Sequence, residues 1–338
     1  MIPTNSKFTY LGVVYLKVTL GGDDLLNYLV HRFISLLPTM IVPLVLVFIL
    51  LHLAPGDPAS VMLGSDATPE QVEQLRQRLG LDEPLYIQMI YWLKQLVTLD
   101  LGDSIFMKQP VLDIILEHME TTIVLTIYAL LIAVVIGMLS GIVSAVYRNK
   151  LIDQIAMTSA MVGVSMPEFW FGLMLILVFA VKLQWFPVAG YVPLSESFIE
   201  CIRSLTLPAV SLGFIQAAFI ARITRSSMLD NIHEDFVRTA KAKGLPQTTI
   251  VFKHILRNAL IPILTVIGIT LAVLMGGAIA IETVFNLPGI GRLMISAVAR
   301  RDYPLIQGIV LFVSAMFVLI NLLVDILYAW VDPRIKYR

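Results

Sequence analysis

The sequence contains few charged residues and one cysteine, and these shortages exclude several classes of protein. Charged residues make up 14% of the 338 positions, against about 25% in an ordinary soluble domain. Lysine plus arginine and aspartate plus glutamate both number 24, so no basic excess indicates a nucleic-acid partner. Cys201 has no second cysteine to pair with, and no Cys/His spacing predicts a metal site. A soluble enzyme, a disordered chain and a nucleic-acid binder are therefore excluded.

The sequence also lacks two signatures of catalysis. It has no G-x-x-x-x-G-K loop followed by Ser or Thr, so it predicts no phosphate-binding loop. His233-Glu234 is not followed by the second histidine of a zinc protease, and all five histidines lie at or beyond the ends of the apolar stretches described next. No catalytic residue and no metal ligand is predicted, and an intramembrane enzyme is disfavoured.

Long apolar stretches are what the sequence does contain. Apolar residues make up 58% of the chain, whereas roughly 45–50% is usual in soluble domains. A helix that crosses a hydrocarbon core about 30 Å thick needs roughly 20 such residues. Six stretches qualify, over about 33–53, 122–146, 157–181, 207–221, 259–281 and 306–327, and the fourth is the shortest. We therefore predict an all-α integral membrane protein with six transmembrane helices.

Basic residues are distributed unevenly between the connections. Their density in one set of connections is about twice that in the other, and the positive-inside rule places the richer set in the cytoplasm. The cytoplasmic set comprises 1–32, 147–156, 222–258 and 328–338, and the external set comprises 54–121, 182–206 and 282–305. We expect both ends of the mature chain in the cytoplasm.

The external connection 54–121 is long enough to fold. Thr68 and Gln71 have the spacing of a helix start, because Thr is a favoured N-cap and Gln follows three residues later. Apolar residues at helical spacing then continue to a stop at Gly80. A second amphipathic helix is predicted from Pro84 to about Thr98. The connection is either a docking surface for an external protein or an acidic region that merely reflects retention of basic residues inside.

The cytoplasmic connection 222–258 predicts a short helix from about Ile232 to Lys243, capped by Asp230 or Asn231. Gly244 is expected to end it, by allowing a close chain reversal where a side chain would obstruct. The helix has a small apolar face between charged neighbours. It is either a lever that fills a groove on a soluble partner or an interfacial helix in a positively charged loop.

Several stretches carry a resemblance to a known family. The central one is Glu234-Asp-Phe-Val-Arg238-Thr-Ala-Lys-Ala-Lys-Gly244-Leu, followed by Arg257-Asn-Ala-Leu-Ile-Pro262. The others are His52-Leu-Ala-Pro-Gly56-Asp57-Pro58, Leu101-Gly102-Asp103-Ser104, Ser165-Met-Pro-Glu-Phe-Trp170, Leu287-Pro-Gly-Ile-Gly-Arg292-Leu, Arg300-Arg-Asp-Tyr-Pro-Leu-Ile-Gln307 and Asp332-Pro-Arg-Ile-Lys-Tyr. Together they resemble the dipeptide/oligopeptide branch of ABC importer permeases, and the central stretch is similar to the cytoplasmic coupling motif of that family.

Two positions depart from the general importer motif. Arg238-Thr-Ala stands where Glu-Ala-Ala is usual, and Arg257 stands where proline is usual; both resemble the peptide-permease version. The similarity covers about residues 26–338. It divides the chain into an extension 1–25, a first span with the external connection 26–121, a five-span core 122–327 and a tail 328–338. One hypothesis for the extension is that translation begins near Leu25 or Leu26.

The resemblance implies a type I importer permease without a cofactor of its own. A second, homologous permease would complete the translocation path in the bilayer of a bacterial inner membrane. Two ATPase subunits, using ATP and magnesium, would bind the coupling helix, and an external solute-binding protein would deliver the cargo. The residues implied in ATPase coupling are Glu234, Phe236, Arg238, Thr239, Ala240, Lys241, Lys243 and Gly244.

Polar residues within or beside the spans are candidates for the translocation path, since charge at membrane depth is costly. These are Glu168, Glu282, Asn321 and Asp325. Hydrogen bonding between helices, or placement near a membrane interface, is the alternative explanation. Gly137 and Gly141 predict close helix packing. The resemblance further implies an outer gate at Pro288, Gly289 and Gly291. Without the resemblance, the glycine and proline residues of this segment predict only a loop.

The cargo stays open between peptide, glutathione, nickel chelate, opine and sugar. An ATP-independent carrier or channel is the remote alternative, and no clear inverted repeat supports it.

Overall fold

The chain folds as a set of α-helices in a computed structural model that describes residues 38–51, 53, 58–63, 67–78, 80, 82–98 and 100–331. The predictions for the extension 1–25 and for most of the tail 328–338 lie outside these residues. Within them the regular structure is helical, apart from one isolated bridge between Asp103 and Pro110. The predicted all-α class is confirmed.

Among the described residues, four helices are long and apolar enough to cross a membrane. They contain the second, fourth, fifth and sixth predicted spans and are α5 (Val111–Val146), α8 (Phe198–Asn231), α11 (Leu256–Val284) and α13 (Tyr303–Val331). Of the first predicted span, the described part forms the shorter apolar helix α1 (Pro38–Leu51). At 36 residues, α5 is about 54 Å long, so it extends well beyond a hydrocarbon core.

The third predicted span, 157–181, is not one continuous helix. Its first half is α6 (Leu151–Ser165). Its second half is α7 (Glu168–Leu175), which continues as a π-helix over Ile176–Lys182. The axes of the two halves differ in direction by 104°. The cause is Pro167, which offers no N–H and pushes the preceding residue into extended conformation. Met166 accordingly has φ −90° and ψ 134°.

The central helix is α8, which is mostly buried and packs along α5. A Cβ at Gly137 would lie 2.7 Å from the Ala217 carbonyl oxygen, and one at Gly141 would lie 2.6 Å from that of Ala221. Because real Cβ atoms do not come so close, only glycine permits this approach of the two backbones. The predicted packing role of the glycine pair is confirmed.

Shorter helices fill the connections. Those in the connection predicted to be external are α2 (Pro58–Leu63), α3 (Pro69–Arg78) and α4 (Leu85–Val97). The predicted start of α3 is confirmed, since Thr68 N donates to Gln71 Oε1 at 2.9 Å and Gln71 N to Thr68 Oγ1 at 3.4 Å. The remaining elements are α9 (Asp235–Ala242), α10 (Gln247–Thr249), a π-helix over Ile250–Ile255 that leads into α11, and α12 (Ile290–Ala299).

Candidate functional site

The predicted coupling helix is present as α9 but begins later than expected. Helix α8 continues to Asn231, so Asp230 and Asn231 end that helix instead of capping the next one. Asn231 Nδ2 donates to the Ser227 carbonyl oxygen at 2.8 Å. The N-cap position of α9 is Glu234, which makes no side-chain cap bond. The predicted cap was therefore wrong, because a long buried helix outcompeted the local capping signal.

Gly244 ends α9 for a reason different from the one expected. Its φ is +74°, and its N–H donates to the Lys241 carbonyl oxygen at 2.9 Å. A Cβ built at Gly244 would meet no atom within 4 Å. A side chain would therefore not obstruct the chain reversal, and the requirement for glycine comes from the left-handed backbone conformation.

The residues predicted for ATPase coupling separate into two faces. Ala240 is buried beside Val237, and Phe236 is half-buried, as the predicted apolar face requires. The exposed members of the predicted set are Glu234, Arg238, Thr239, Lys241, Lys243 and Gly244. The inner face thus anchors the helix, and the outer face, with three basic side chains, is free to contact another molecule.

An apolar cluster under α9 joins it to the long helices. We call it the inner cluster, and it contains Ile142 and Ala145 of α5, Met228 of α8, Val237 and Ala240 of α9, Ile250, Val251 and Ile255 of the π-helix, and Ala259 and Ile263 of α11. Since protein interiors are close-packed and transmit strain, a push on α9 acts on three long helices at once.

The π-helix over Ile250–Ile255 was missed by sequence reasoning. It lies between the coupling helix and α11, and the side chains of Ile250, Val251 and Ile255 are buried in the inner cluster. π-Helical turns are rare in proteins, but those that occur are often found at functional sites. No residue pattern predicts this π-helix, because over six residues the apolar spacing of a π-turn differs little from that of an α-helix.

The segment around Pro288, Gly289 and Gly291, which we call the outer segment, is held by the carboxylate of Glu282. Thr122 Oγ1 donates to Glu282 Oε1 at 2.6 Å, and Arg292 N donates to Glu282 Oε2 at 3.0 Å. These bonds tie the outer segment to both α5 and α11.

Thr122 completes this connection from the other side. Its Oγ1 also accepts the N–H of Ile290 at 2.8 Å, so one hydroxyl bridges a carboxylate and the backbone of the outer segment. A Cβ at Gly289 would overlap the Glu282 carboxylate, and one at Gly291 would lie 2.7 Å from Ile279 Cα. Both glycines therefore make room for neighbours. Pro288 is exposed.

The four polar residues predicted for the translocation path lie in different places. Glu282 is completely buried, so in this conformation it faces no open path. Glu168 is half-buried at the start of α7, where Ser211 Oγ donates to its backbone oxygen at 2.9 Å. On α13, Asn321 donates to the Phe317 carbonyl oxygen at 2.8 Å, and Asp325 is half-buried one turn later.

Two further carboxylates join distant parts of the chain and were missed as functional candidates. Glu120 Oε1 accepts from Tyr191 Oη and from Leu194 N, each at 2.9 Å, and so ties the 183–197 loop to α5. Burial and this hydrogen bond raise the pKa of Tyr191 above its usual range, which keeps the hydroxyl a donor.

Asp302 joins two of the separate stretches that carry the family resemblance. Its carboxylate accepts from Ser104 Oγ at 2.5 Å and from the backbone N–H groups of Ile105 and Phe106 at 3.2 Å. The Arg300 guanidinium lies 3.5 Å from the centre of the Phe106 ring. Across the described residues, no group of three His, Cys, Asp or Glu side chains is placed to hold a metal ion.

Comparison with known proteins adds two family matches. Residues 133–337 match the family described as the binding-protein-dependent transport system inner membrane component. Residues 25–126 match the family of the N-terminal part of such membrane components. Together these matches cover most of the chain.

Individual relatives agree with the family matches. The glutathione transport system permease protein GsiC of Escherichia coli O6:H1 is 45% identical over 93% of this chain and 100% of its own length. A putative peptide transport system permease of Brucella abortus is 43% identical over 91% of this chain and 98% of its own. A structure of the inward-facing MetNI methionine ABC transporter is 19% identical, with a TM-score of 0.55 over 65% of this chain and 96% of its own; at that identity the likeness concerns the fold.

Proposed function

Because this chain belongs to the family of inner-membrane components of binding-protein-dependent transport systems, in its peptide branch, we propose that it pairs with a second, homologous permease around a path for short peptides. Its family implies a solute-binding protein and ATPase partners. The finer arrangement, with two ATPase subunits on the cytoplasmic side and both chain ends in the cytoplasm, is our proposal.

The observation that carries this proposal is the construction of α9. Its outer face is exposed and carries Arg238 and Lys241 beside the acidic Asp235, whereas its inner face is seated in the inner cluster. A partner that binds the outer face can therefore move three long helices through apolar contact. ATP and magnesium belong to the partner subunits in this proposal, since the sequence has no phosphate-binding loop of its own.

Short peptides are the proposed cargo because two similar relatives are described as glutathione and peptide permeases. Glutathione is itself a tripeptide, so one class of cargo covers both descriptions. The half-buried carboxylate of Glu168 at the helix break offers a polar group at membrane depth, where a charged side chain otherwise costs about 2.5–3.5 kcal/mol. We propose that it contributes to the path.

The first experiment is purification of this chain in mild detergent from its native membrane, with mass spectrometry of the proteins that copurify. We expect a similar permease and one or two ATPases that carry phosphate-binding loops. The complex is then reconstituted in vesicles with its binding protein, and uptake of labelled glutathione and of dipeptides is measured with and without ATP. A chain that purifies alone after crosslinking, or uptake that does not need ATP, would favour a carrier or channel instead.

A further inference from the structure

A bidentate ion pair joins α6 to α8 on the cytoplasmic side of the molecule. Arg225 Nε lies 2.7 Å from Asp153 Oδ1, and Arg225 Nη2 lies 2.7 Å from Asp153 Oδ2. The Asp153 side chain is 4% exposed and that of Arg225 is 26% exposed. This parallel arrangement is the strongest geometry available to an arginine and a carboxylate, because it fixes both distance and angle.

Two more donors complete the surroundings of Asp153. Ser144 Oγ, on α5, donates to Oδ1, and the backbone N–H of Asn149, in the α5–α6 turn, donates to Oδ2 at 2.8 Å. One carboxylate thereby holds α5, the turn, α6 and α8 together. We call the set of Asp153, Arg225 and Ser144 the clasp.

The clasp lies between the coupling helix and the broken span. Arg225 lies in the last two turns of α8, ten positions before the first residue of α9, and Met228 of the inner cluster follows it by about one turn. Asp153 lies in the first turn of α6, whose other end is the break at Pro167. The other described side-chain hydrogen bonds of α6, from Ser159 and Ser165, stay within α6.

We propose that Asp153 and Arg225 are positioning residues that pass the movement of α9 to α6 and so to the bend of the broken span. This inference rests on the proposed function. Apolar faces of α6 and α8 can slide past each other with little loss of contact, but a bidentate pair cannot. A buried ion pair adds little to stability compared with an apolar pair of similar size, so a role in geometry explains it better than a role in folding.

The same region offers a mostly apolar groove that such movement would reshape. A cavity of about 670 Å³ lies along α6 at the bend, between α6, Phe171 of α7 and Phe214 of α8. Its lining includes Gln154, directly beside Asp153, and Met166 at the break. A rotation of α6 about the clasp changes the width of this groove, which connects the cytoplasmic side to the middle of the broken span.

The test uses the full complex of permeases, ATPases and binding protein in vesicles, and measures peptide uptake and ATP hydrolysis together. Asp153→Asn is expected to lower the number of peptides imported per ATP at least about fivefold, the size of a modest coupling energy between sites. Arg225→Lys keeps the positive charge but cannot donate two parallel hydrogen bonds to the carboxylate, and it is expected to give an intermediate ratio. The matched control is Glu200→Gln, which removes a carboxylate from an exposed ion pair with Arg203 on the same helix and is expected to keep the wild-type ratio.

The double variant Asp153→Asn with Arg225→Gln separates positioning from the cost of an unpaired buried charge. It leaves no unpaired charge, yet it lacks the pair of parallel hydrogen bonds. The number of peptides imported per ATP is therefore expected to stay low. Recovery of the ratio in the double variant overturns the proposal, as does a loss of uptake that only follows a loss of assembled complex. If the wild-type complex imports peptide without ATP, the proposed function fails and the clasp proposal fails with it. If ATP drives wild-type import but Asp153→Asn keeps the ratio, the clasp proposal alone fails.

Discussion

At Gly289 the backbone has φ −106° and ψ 172°, angles that any residue can adopt. The requirement for glycine there comes from the Glu282 carboxylate, which a Cβ would overlap. That carboxylate holds the outer segment through Thr122 and through the N–H of Arg292. A side chain at 289 must therefore displace the group that anchors the segment to which it belongs.

Gly289→Ala is expected to destabilise the protein by about 2 kcal/mol, because hydrogen bonds to a charged group contribute roughly 1.5–3 kcal/mol each. The measurement is thermal unfolding of the purified complex, together with ATP-driven uptake. Glu282→Asp in the same chain shortens the carboxylate and is expected to recover part of the loss. The matched control is Gly276→Ala on α11, where a Cβ meets nothing within 4 Å. Equal effects of the two alanine variants would show that the carboxylate is not the reason for Gly289.

Elements differ in how far the sequence could predict them. Charge-free runs located the long helices, because a membrane span needs many apolar residues in a row whatever its tertiary contacts. A charge-free run does not reveal whether the helix axis stays straight. The 104° bend between α6 and α7 was therefore not predicted, although the sequence contains Pro167 there. The start of α9 was misplaced because α8 extends further than local capping signals suggested.

The end of α9 provides a test at the scale of the element. Since Gly244 has φ +74° and open space around its Cβ position, the effect of a substitution depends on tolerance of the left-handed conformation and not on volume. Gly244→Asn is expected to keep most of the uptake per ATP, because asparagine tolerates this conformation. Gly244→Val is expected to lose most of it, since an L residue in the left-handed region costs about 1–2 kcal/mol and a β-branched one more.

Uptake and ATP hydrolysis in vesicles are the measurements for both Gly244 variants. Hydrolysis that continues while uptake falls is the expected pattern for Gly244→Val, because the partner would still bind a lever that is no longer held in place. Two equally damaging substitutions, or undiminished peptide uptake in Gly244→Val, would contradict this account of the helix end.

Across the whole molecule, the tertiary contacts of the site were the least predictable part. Thr122 and Glu282 are 160 positions apart, and Ser104 and Asp302 are 198 apart. Each residue alone looked like a polar group near a span end. The resemblance located the stretches that contain Ser104 and Asp302, but only the fold shows that they bind each other. Sequence periodicity describes one element at a time, and these bonds join elements that the chain visits far apart.

The orientation of the chain is a further property of the whole molecule, and it is testable. The positive-inside rule places the connection between α8 and α11 in the cytoplasm and the helices α3 and α4 outside. Single cysteines at exposed Glu83 and exposed Gln247, in a Cys201→Ala background, report the two sides. A membrane-impermeant maleimide is expected to label Glu83→Cys in intact spheroplasts, and to label Gln247→Cys only after the membrane is opened.

The Cys201 side chain is fully buried, so the chain with its native cysteine alone is expected to stay unlabelled and serves as the control. The reverse labelling pattern would place α9 on the external side, where no ATPase could reach its exposed face. Labelling of both cysteines from one side would show an even number of membrane crossings between the two positions, which would contradict the prediction. The predicted order of α5, the bent span and α8 gives three crossings between Glu83 and Gln247, and three crossings require opposite sides.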